Sequence, residues 1–223
     1  MPIQNPEQNT AVPLRTRLRQ ARAEMPEAAR SRGGLLLRGR LFSWFNAARD
    51  AAAASGRRLQ SVAAYWPMAD EPDLRPLLEQ WEASGVRVCL PRIAALGQPL
   101  EFRNWTPDTP MRPGHFGIPE SEGEPCTPDV ILVPTLGYTD AADRLGYGGG
   151  YYDRTLAALT AAGHDYVTIG IAWTEGRLPA DYLAASHDVR LDAVLTPDGW
   201  LPRAPLDTEP ARGPDASARF ILR

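Results

Sequence analysis

Apolar residues along this 223-residue chain recur with two different periods. Leu14, Leu18, Ala21 and Met25 follow one another at helical spacing. Pro13 stands where a first helical turn tolerates it. Arg15, Arg17, Arg19 and Arg22 take the remaining faces, which reads as a solvated basic surface. Residues 35–54, rich in Leu, Ala, Phe and Trp, predict a second helix ended by Ser55-Gly56. Residues 61–66 read as a buried strand. Leu74, Leu77, Leu78 and Trp81 mark a helix with Asp73 as candidate N-cap and Gly85 as its stop. Residues 86–90 read as the next strand. That β-α-β unit predicts a parallel pair with a right-handed crossover. Residues 100–105 alternate apolar and polar positions, as an edge strand does. Residues 106–129, rich in Pro, Gly and acids, read as a long loop of the kind that lies over a site. Strands are predicted at 130–133, 167–172 and 191–195, with a helix over 151–162 closed by Gly163. Alternating strands and helices predict an α/β three-layer sandwich with a mostly parallel sheet. The expected organisation is a flexible segment 1–10, one domain over 11–202, and a loosely held tail over 203–223 in which Phe220-Ile221-Leu222 could dock.

Composition narrows the picture. A hydrophobic content of 43% supports one substantial core, and a net charge of −3 gives no reason to expect a nucleic-acid binder. All 24 basic residues are arginine, so neither a Schiff-base lysine nor a phosphate-binding lysine is available. The two cysteines, Cys89 and Cys126, suggest neither a disulfide framework nor a metal motif, and Cys89 reads as a small core residue. His115, His164 and His187 are scattered, which argues against a structural zinc. No run approaches membrane-spanning length and no signal-peptide pattern opens the chain, so a cytoplasmic protein, monomeric and without membrane contact, is expected.

The chemistry concentrates at residues 144–154, Arg-Leu-Gly-Tyr-Gly-Gly-Gly-Tyr-Tyr-Asp-Arg. Gly146, Gly148, Gly149 and Gly150 lie between the apolar run 130–134 and the helix that starts near Tyr151. A strand, a glycine loop and a helix N-terminus together form an anion site: glycine lets the backbone approach a bulky ligand, and free N–H groups with the helix dipole favour phosphate. A plain glycine turn is the alternative. The loop lacks the Gly-Lys-Ser/Thr ending of a P-loop, and Tyr151 stands where a dinucleotide fingerprint needs a third small residue.

The run from Arg144 through Leu145, Gly146, Tyr147, Gly148, Gly149, Gly150, Tyr151 and Tyr152 to Asp153 resembles the signature of the 5-formyltetrahydrofolate cyclo-ligase (methenyltetrahydrofolate synthetase) family. The likeness extends over about residues 14–200. It takes in Leu14-Arg15, the stretch from Tyr65-Trp66-Pro67 to Glu71-Pro72-Asp73, Leu90-Pro91-Arg92, Leu100-Glu101-Phe102-Arg103, Phe116-Gly117-Ile118-Pro119-Glu120, His187-Asp188-Val189 and Leu191-Asp192-Ala193-Val194, in that order. The resemblance implies a fold like that of ribose-phosphate isomerase and CoA transferases. It also implies ATP- and magnesium-dependent conversion of 5-formyltetrahydrofolate to 5,10-methenyltetrahydrofolate, with release of ADP and phosphate. On that pattern Arg15 and the loop from Arg144 to Tyr152 bind ATP, and Trp66, Glu71 and Tyr152 bind the reduced folate. Asp153 and Asp192 fall at magnesium positions of that pattern, and Arg144 and Tyr152 are candidate transition-state contacts. The chemistry needs no enzyme nucleophile.

Each of these residues also has a plainer reading. Asp153 could be a helix-start acid, Asp192 a turn residue, Glu71 a solvated charge and Trp66 a core aromatic. The chain departs from the family where Gly149 and Ala11 stand in place of lysines. Arg15, Arg19 and Arg144 are candidates to compensate, with Arg15 favoured because Gly149 is expected to leave open volume beside it. The alternative to an active enzyme is a weakened or inactive homologue that binds folate or nucleotide. A sugar-phosphate enzyme of the same fold class is a third reading, disfavoured by the missing base-and-lysine arrangement.

Overall fold

The computed structural model describes residues 6–56, 58–186 and 188–206, with side chains from residue 13 onward. The expectations for His187 and for the tail beyond 206, Phe220-Ile221-Leu222 included, fall outside the described residues. The chain runs α1 (Pro6–Ala23), α2 (Glu27–Ala54), β1 (Ser61–Ala63), α3 (Arg75–Ala83), β2 (Arg87–Arg92), β3 (Glu101–Trp105), β4 (Met111–Pro113), β5 (Pro119–Ser121) and β6 (Val130–Pro134). It continues through β7 (Gly137–Tyr138), β8 (Arg144–Leu145), α4 (Tyr151–Ala161), β9 (Val167–Ile171), β10 (Ala193–Thr196) and β11 (Gly199–Leu201).

Seven strands form one sheet in the order β11-β10-β9-β6-β1-β2-β3. The five inner strands are parallel, and the edge strands β3 and β11 run antiparallel to their neighbours. Successive side chains of a strand point to opposite faces, and the core divides accordingly. Val62, Val130, Leu132 and Ile169 pack with Leu37, Leu41 and Phe45 of α2 and Leu77, Leu78 and Trp81 of α3. Ala63, Ile131, Val133 and Val194 pack on the other face with Leu156 of α4. Helices therefore cover both faces of a mostly parallel sheet, the expected α/β arrangement. Helix α1 lies apart and packs Leu14 and Leu18 against Leu136, Leu145 and Leu178. No described helix is long and apolar enough to cross a membrane.

Several local expectations shift. Helix α2 begins at Glu27 and runs straight through Gly33-Gly34. A Cβ on Gly33 would stand 2.8 Å from the Trp173 ring, so this glycine serves close packing rather than a turn. Asp73 acts at the start of α3, where its carboxylate accepts the Arg75 N–H at 3.0 Å, although Leu74 is the cap residue. The segment read as one long loop contains the antiparallel ribbon β4–β5. Cys89 is fully buried as expected, but it is joined to Cys126 in a disulfide with Cα atoms 6.5 Å apart, which corrects the expectation that the cysteines do not pair. The Cys126 N–H donates to the Phe102 carbonyl at 2.9 Å, and that contact brings the segment after β5 back alongside β3.

Candidate active site

A cavity of about 570 Å³ opens at the C-terminal ends of the parallel strands, where open α/β sheets bind ligands. Tyr65 and Trp66 follow β1, Pro91 and Ile93 lie at the end of β2, and Pro134 ends β6. The glycine loop forms one wall. The segment around the β4–β5 ribbon forms another, with Phe116, 74% exposed and at φ 60°, standing at the mouth.

The loop is shaped as an anion cradle. Gly148 at φ 98° and Gly150 at φ 62° occupy the left-handed region that favours glycine, and Gly150 caps α4. None of the Gly148, Gly149 or Gly150 amides has an acceptor among the described residues. Arginines bracket the loop. Arg15 Nε donates to the Gly146 carbonyl at 2.9 Å, and its guanidinium lies 3.6 Å from where a Cβ of Gly148 would stand. Arg154 Nη2 donates to the Gly149 carbonyl at 2.8 Å and stacks on the Tyr151 ring at 4.9 Å. The volume beside Gly149 is not open, because a Cβ there would stand 2.9 Å from Tyr151 Cδ2. The expected space for Arg15 is therefore at Gly148, and Arg154 is the arginine beside Gly149.

Behind the loop, Arg144 is buried and donates to Asp153 Oδ1 at 2.5 Å. The same oxygen accepts the Val189 N–H at 3.0 Å. Asp153 lines the cavity together with Asp188. The structure does not bring Asp192 to them, and this corrects its pairing with Asp153. Asp192 precedes β10, where its Oδ2 accepts both the Thr168 N–H and the Thr168 hydroxyl at 2.8 Å. Its charge acts on Tyr166, whose hydroxyl bonds Leu156 and Thr160 beyond the first turn of α4, whereas Asp153 lies in that first turn. Among the described residues no three His, Cys, Asp or Glu side chains gather into a metal cage. Magnesium bound with a nucleotide needs only one or two carboxylates plus phosphate oxygens, and Asp153 with Asp188 suits that requirement.

Another part of the cavity wall is built around Glu71. The Met68–Glu71 turn is closed by the Glu71 N–H to the Met68 carbonyl at 3.0 Å and by the Met68 N–H to Glu71 Oε2 at 2.9 Å. The Tyr65 hydroxyl anchors the turn through the Pro72 carbonyl at 3.0 Å. Glu71 is 8% exposed, and its Oε1 accepts the Tyr147 hydroxyl at 2.5 Å. Burial raises its pKa, opposed by the Tyr147 and Met68 hydrogen bonds and by the Arg22 charge. Trp66 is half-buried, edge-on to Trp105 at 6.2 Å and under Arg75 at 5.5 Å. The Tyr152 hydroxyl is buried with no partner among the described residues. Burial and the Glu71 charge push its pKa far up, so it stands as a proton-bearing donor. The structure thus gathers Arg15, Trp66, Glu71, Arg144, the loop from Leu145 to Tyr152, and Asp153 around one cavity.

Sequence reasoning missed Arg22, treated there as one residue of a solvated face. It is 4% exposed, and it donates to the Tyr147 hydroxyl at 2.6 Å and to the Thr135 carbonyl. Its position four residues after Leu18 and three before Met25 was the available signal, since that spacing places it on the buried stripe. Glu120 was also missed as a site residue. It is buried in the cavity wall, where it accepts the Ile93 N–H at 3.0 Å and Arg112 at 3.1 Å.

Comparison with known proteins points to one family. The model of the 5-formyltetrahydrofolate cyclo-ligase family matches residues 7–197. A 5-formyltetrahydrofolate cyclo-ligase of Mycolicibacterium smegmatis is 34% identical over 195 residues, covering 82% of this chain and 92% of that protein. The Escherichia coli K12 protein of the same name is 30% identical, covering 61% and 78%. The solved 5,10-methenyltetrahydrofolate synthetase of Aquifex aeolicus superposes with a TM-score of 0.69 at 25% identity, covering 91% of this chain and 96% of that one.

Proposed function

The chain belongs to the 5-formyltetrahydrofolate cyclo-ligase family, and from that premise we propose that it converts 5-formyltetrahydrofolate to 5,10-methenyltetrahydrofolate, consuming ATP with magnesium and releasing ADP and phosphate. One observation carries the reading: a single cavity is lined by an arginine-flanked glycine cradle and also by a buried carboxylate, Glu71, and the aromatic Trp66. The first suits a triphosphate, and the second suits the amino-pyrimidine edge and flat face of a pterin. We extend the proposal to the fold, as kin to ribose-phosphate isomerase and CoA transferases.

In this reading the amides of Gly148–Gly150 hold the phosphates, and Arg15 and Arg154 neutralise their charge from either side. Asp153 and Asp188 hold magnesium, which would offset charge on the phosphate oxygens. Arg144 fixes Asp153 in place. Glu71 and Trp66 orient the folate so that its formyl oxygen faces the γ-phosphate. That oxygen takes the phosphoryl group and ADP leaves. N10 then attacks the formyl carbon, the carbon–oxygen bond breaks to release phosphate, and N10 gives up its proton. We assign Tyr152 the role of donor to the formyl oxygen during transfer. Positioning and charge neutralisation supply most of the rate in such transfers. No nucleophile of the chain is required.

A second reading, a homologue that binds but turns over poorly, draws on Gly149, where the family's lysine is replaced and the Tyr151 ring covers the site. One assay separates the two. Purified protein with 5-formyltetrahydrofolate, ATP and magnesium is followed by the absorbance of the methenyl product. ATP-dependent product is expected. Folate and nucleotide binding without product over a wide range of enzyme concentration would establish the second reading instead.

A further inference from the structure

Tyr147 joins two parts of the cavity wall, the glycine loop and Glu71. Its backbone is part of the glycine loop, between Gly146 and a left-handed Gly148. Arg15 holds the carbonyl before it at 2.9 Å, and Arg19 reaches its own carbonyl at 3.4 Å. Its ring lies under Arg19 and Arg22, at 5.7 and 5.9 Å from the guanidinium carbons. Its hydroxyl sits between Arg22 Nη1 at 2.6 Å and Glu71 Oε1 at 2.5 Å.

The direction of this chain of hydrogen bonds is forced. A guanidinium only donates, so the hydroxyl must accept from Arg22 and give its proton to Glu71. Glu71 Oε2 meanwhile accepts from Met68. Both carboxylate oxygens are thus held as acceptors against the cost of burial, the state an amino-pyrimidine edge needs.

Resting on the folate and nucleotide reading above, we propose that Tyr147 is a positioning residue that couples the glycine loop to Glu71, so that nucleotide on the loop tightens folate binding at Glu71 and folate tightens nucleotide binding. A loop with four glycines in five positions is costly to fix. Whichever ligand binds first fixes it. Because Tyr147 links loop to carboxylate, the second ligand finds its site already ordered and binds more tightly. By linkage the two enhancement factors are equal.

The test is calorimetric titration of 5-formyltetrahydrofolate with and without a non-hydrolysable ATP analogue and magnesium, and of the analogue with and without folate. The wild-type protein is expected to show the same enhancement in both directions, about five-fold or more. Tyr147→Phe keeps the ring and its arginine contacts and removes only the hydroxyl. Its enhancement is expected to fall to within about two-fold of unity, while each ligand alone still binds. Arg22→Lys, which loses the forked contact to Tyr147 and Thr135, is expected to lose the enhancement as well. A residue that merely stabilised the fold would lower the melting temperature and leave the enhancement intact, and that result in Tyr147→Phe would overturn the proposal. So would a wild-type protein that binds both ligands independently. A wild-type protein that binds neither would overturn the functional reading along with it.

Discussion

The two ends of the parallel strands use the same side chains to opposite purposes. At the strand starts, carboxylates close on themselves. Asp129, before β6, accepts the Gln60 N–H, the Ser61 N–H and the Ser61 hydroxyl at 2.8–2.9 Å, and its own N–H donates back to Ser61 Oγ at 3.0 Å. Asp192, before β10, repeats the pattern with Thr168, whose Oγ accepts the Asp192 N–H at 2.9 Å. Each latch ties the beginning of one strand to its parallel neighbour and uses short partners already in the sheet. At the strand ends the carboxylates depend on arginines from outside the seven-stranded sheet. Asp153 is held by Arg144, and Glu71 by Arg22 through Tyr147. The Tyr152 hydroxyl and the Nε atoms of Arg22, Arg144 and Arg154 are buried there without partners among the described residues. Unpaired buried polar groups cost stability; others lie on Trp81, Arg92, Arg103 and Arg112, but Arg144 and Tyr152 belong to the cavity lining, where a bound ligand could offset that cost.

The contrast can be broken most forcefully at the latches. Asp129→Ala strands three donors and is expected to lower the free energy of unfolding by about 3 kcal/mol. Ligand affinities of the folded protein should stay within about two-fold, since the latch is remote from the cavity. Urea denaturation and calorimetry check both halves, and a folded variant that lost folate binding would erase the division. A smaller effect is expected at Glu71→Gln. Exchanging a charge-assisted contact for a neutral one should weaken folate binding about ten-fold, or roughly 1.4 kcal/mol. The pH dependence sharpens the point. Burial raises the pKa of Glu71 in the folded state, so its stabilising contribution is present in full below the ordinary carboxylate range and is lost as pH rises through the raised value. The stability of the wild type relative to Glu71→Gln should therefore fall as pH rises above the ordinary carboxylate range, about pH 4. A flat difference would mean that Glu71 does not carry the cost of burial.

Much of this arrangement was legible in the sequence, and the boundary of legibility has physical causes. Apolar runs such as Val130–Pro134 announce buried parallel strands because both of their faces are covered, and the glycine spacing announces the cradle. Glu71 and Trp66 could be named from the order of family segments, and the fold then brought them to the glycine loop. What stayed hidden depended on long-range register. Arg22 looked like one more arginine on a basic helix until its position on the Leu18–Met25 stripe placed it in the core. Asp153 and Asp192 are alike as isolated residues. Only the pairing of β9 with β10 shows that one meets Thr168 while the other faces the cavity. The Cys89–Cys126 bond escaped notice for the same reason, since nothing local shows that the segment after β5 returns beside β3. Gly149 suggested empty space, and the ring two residues further on fills it.

The smallest effect is expected at Asp192→Asn, which keeps a carbonyl acceptor for Thr168. Set beside Asp153→Asn, it gives the most direct test of the division between strand starts and strand ends. The measurement is a magnesium titration of methenyl product formation at saturating ATP and 5-formyltetrahydrofolate. Asp192→Asn is expected to retain the wild-type magnesium requirement, and Asp153→Asn to raise the half-saturating concentration by about ten-fold or more. A rise in Asp192→Asn equal to that in Asp153→Asn, or no rise in Asp153→Asn, would contradict it.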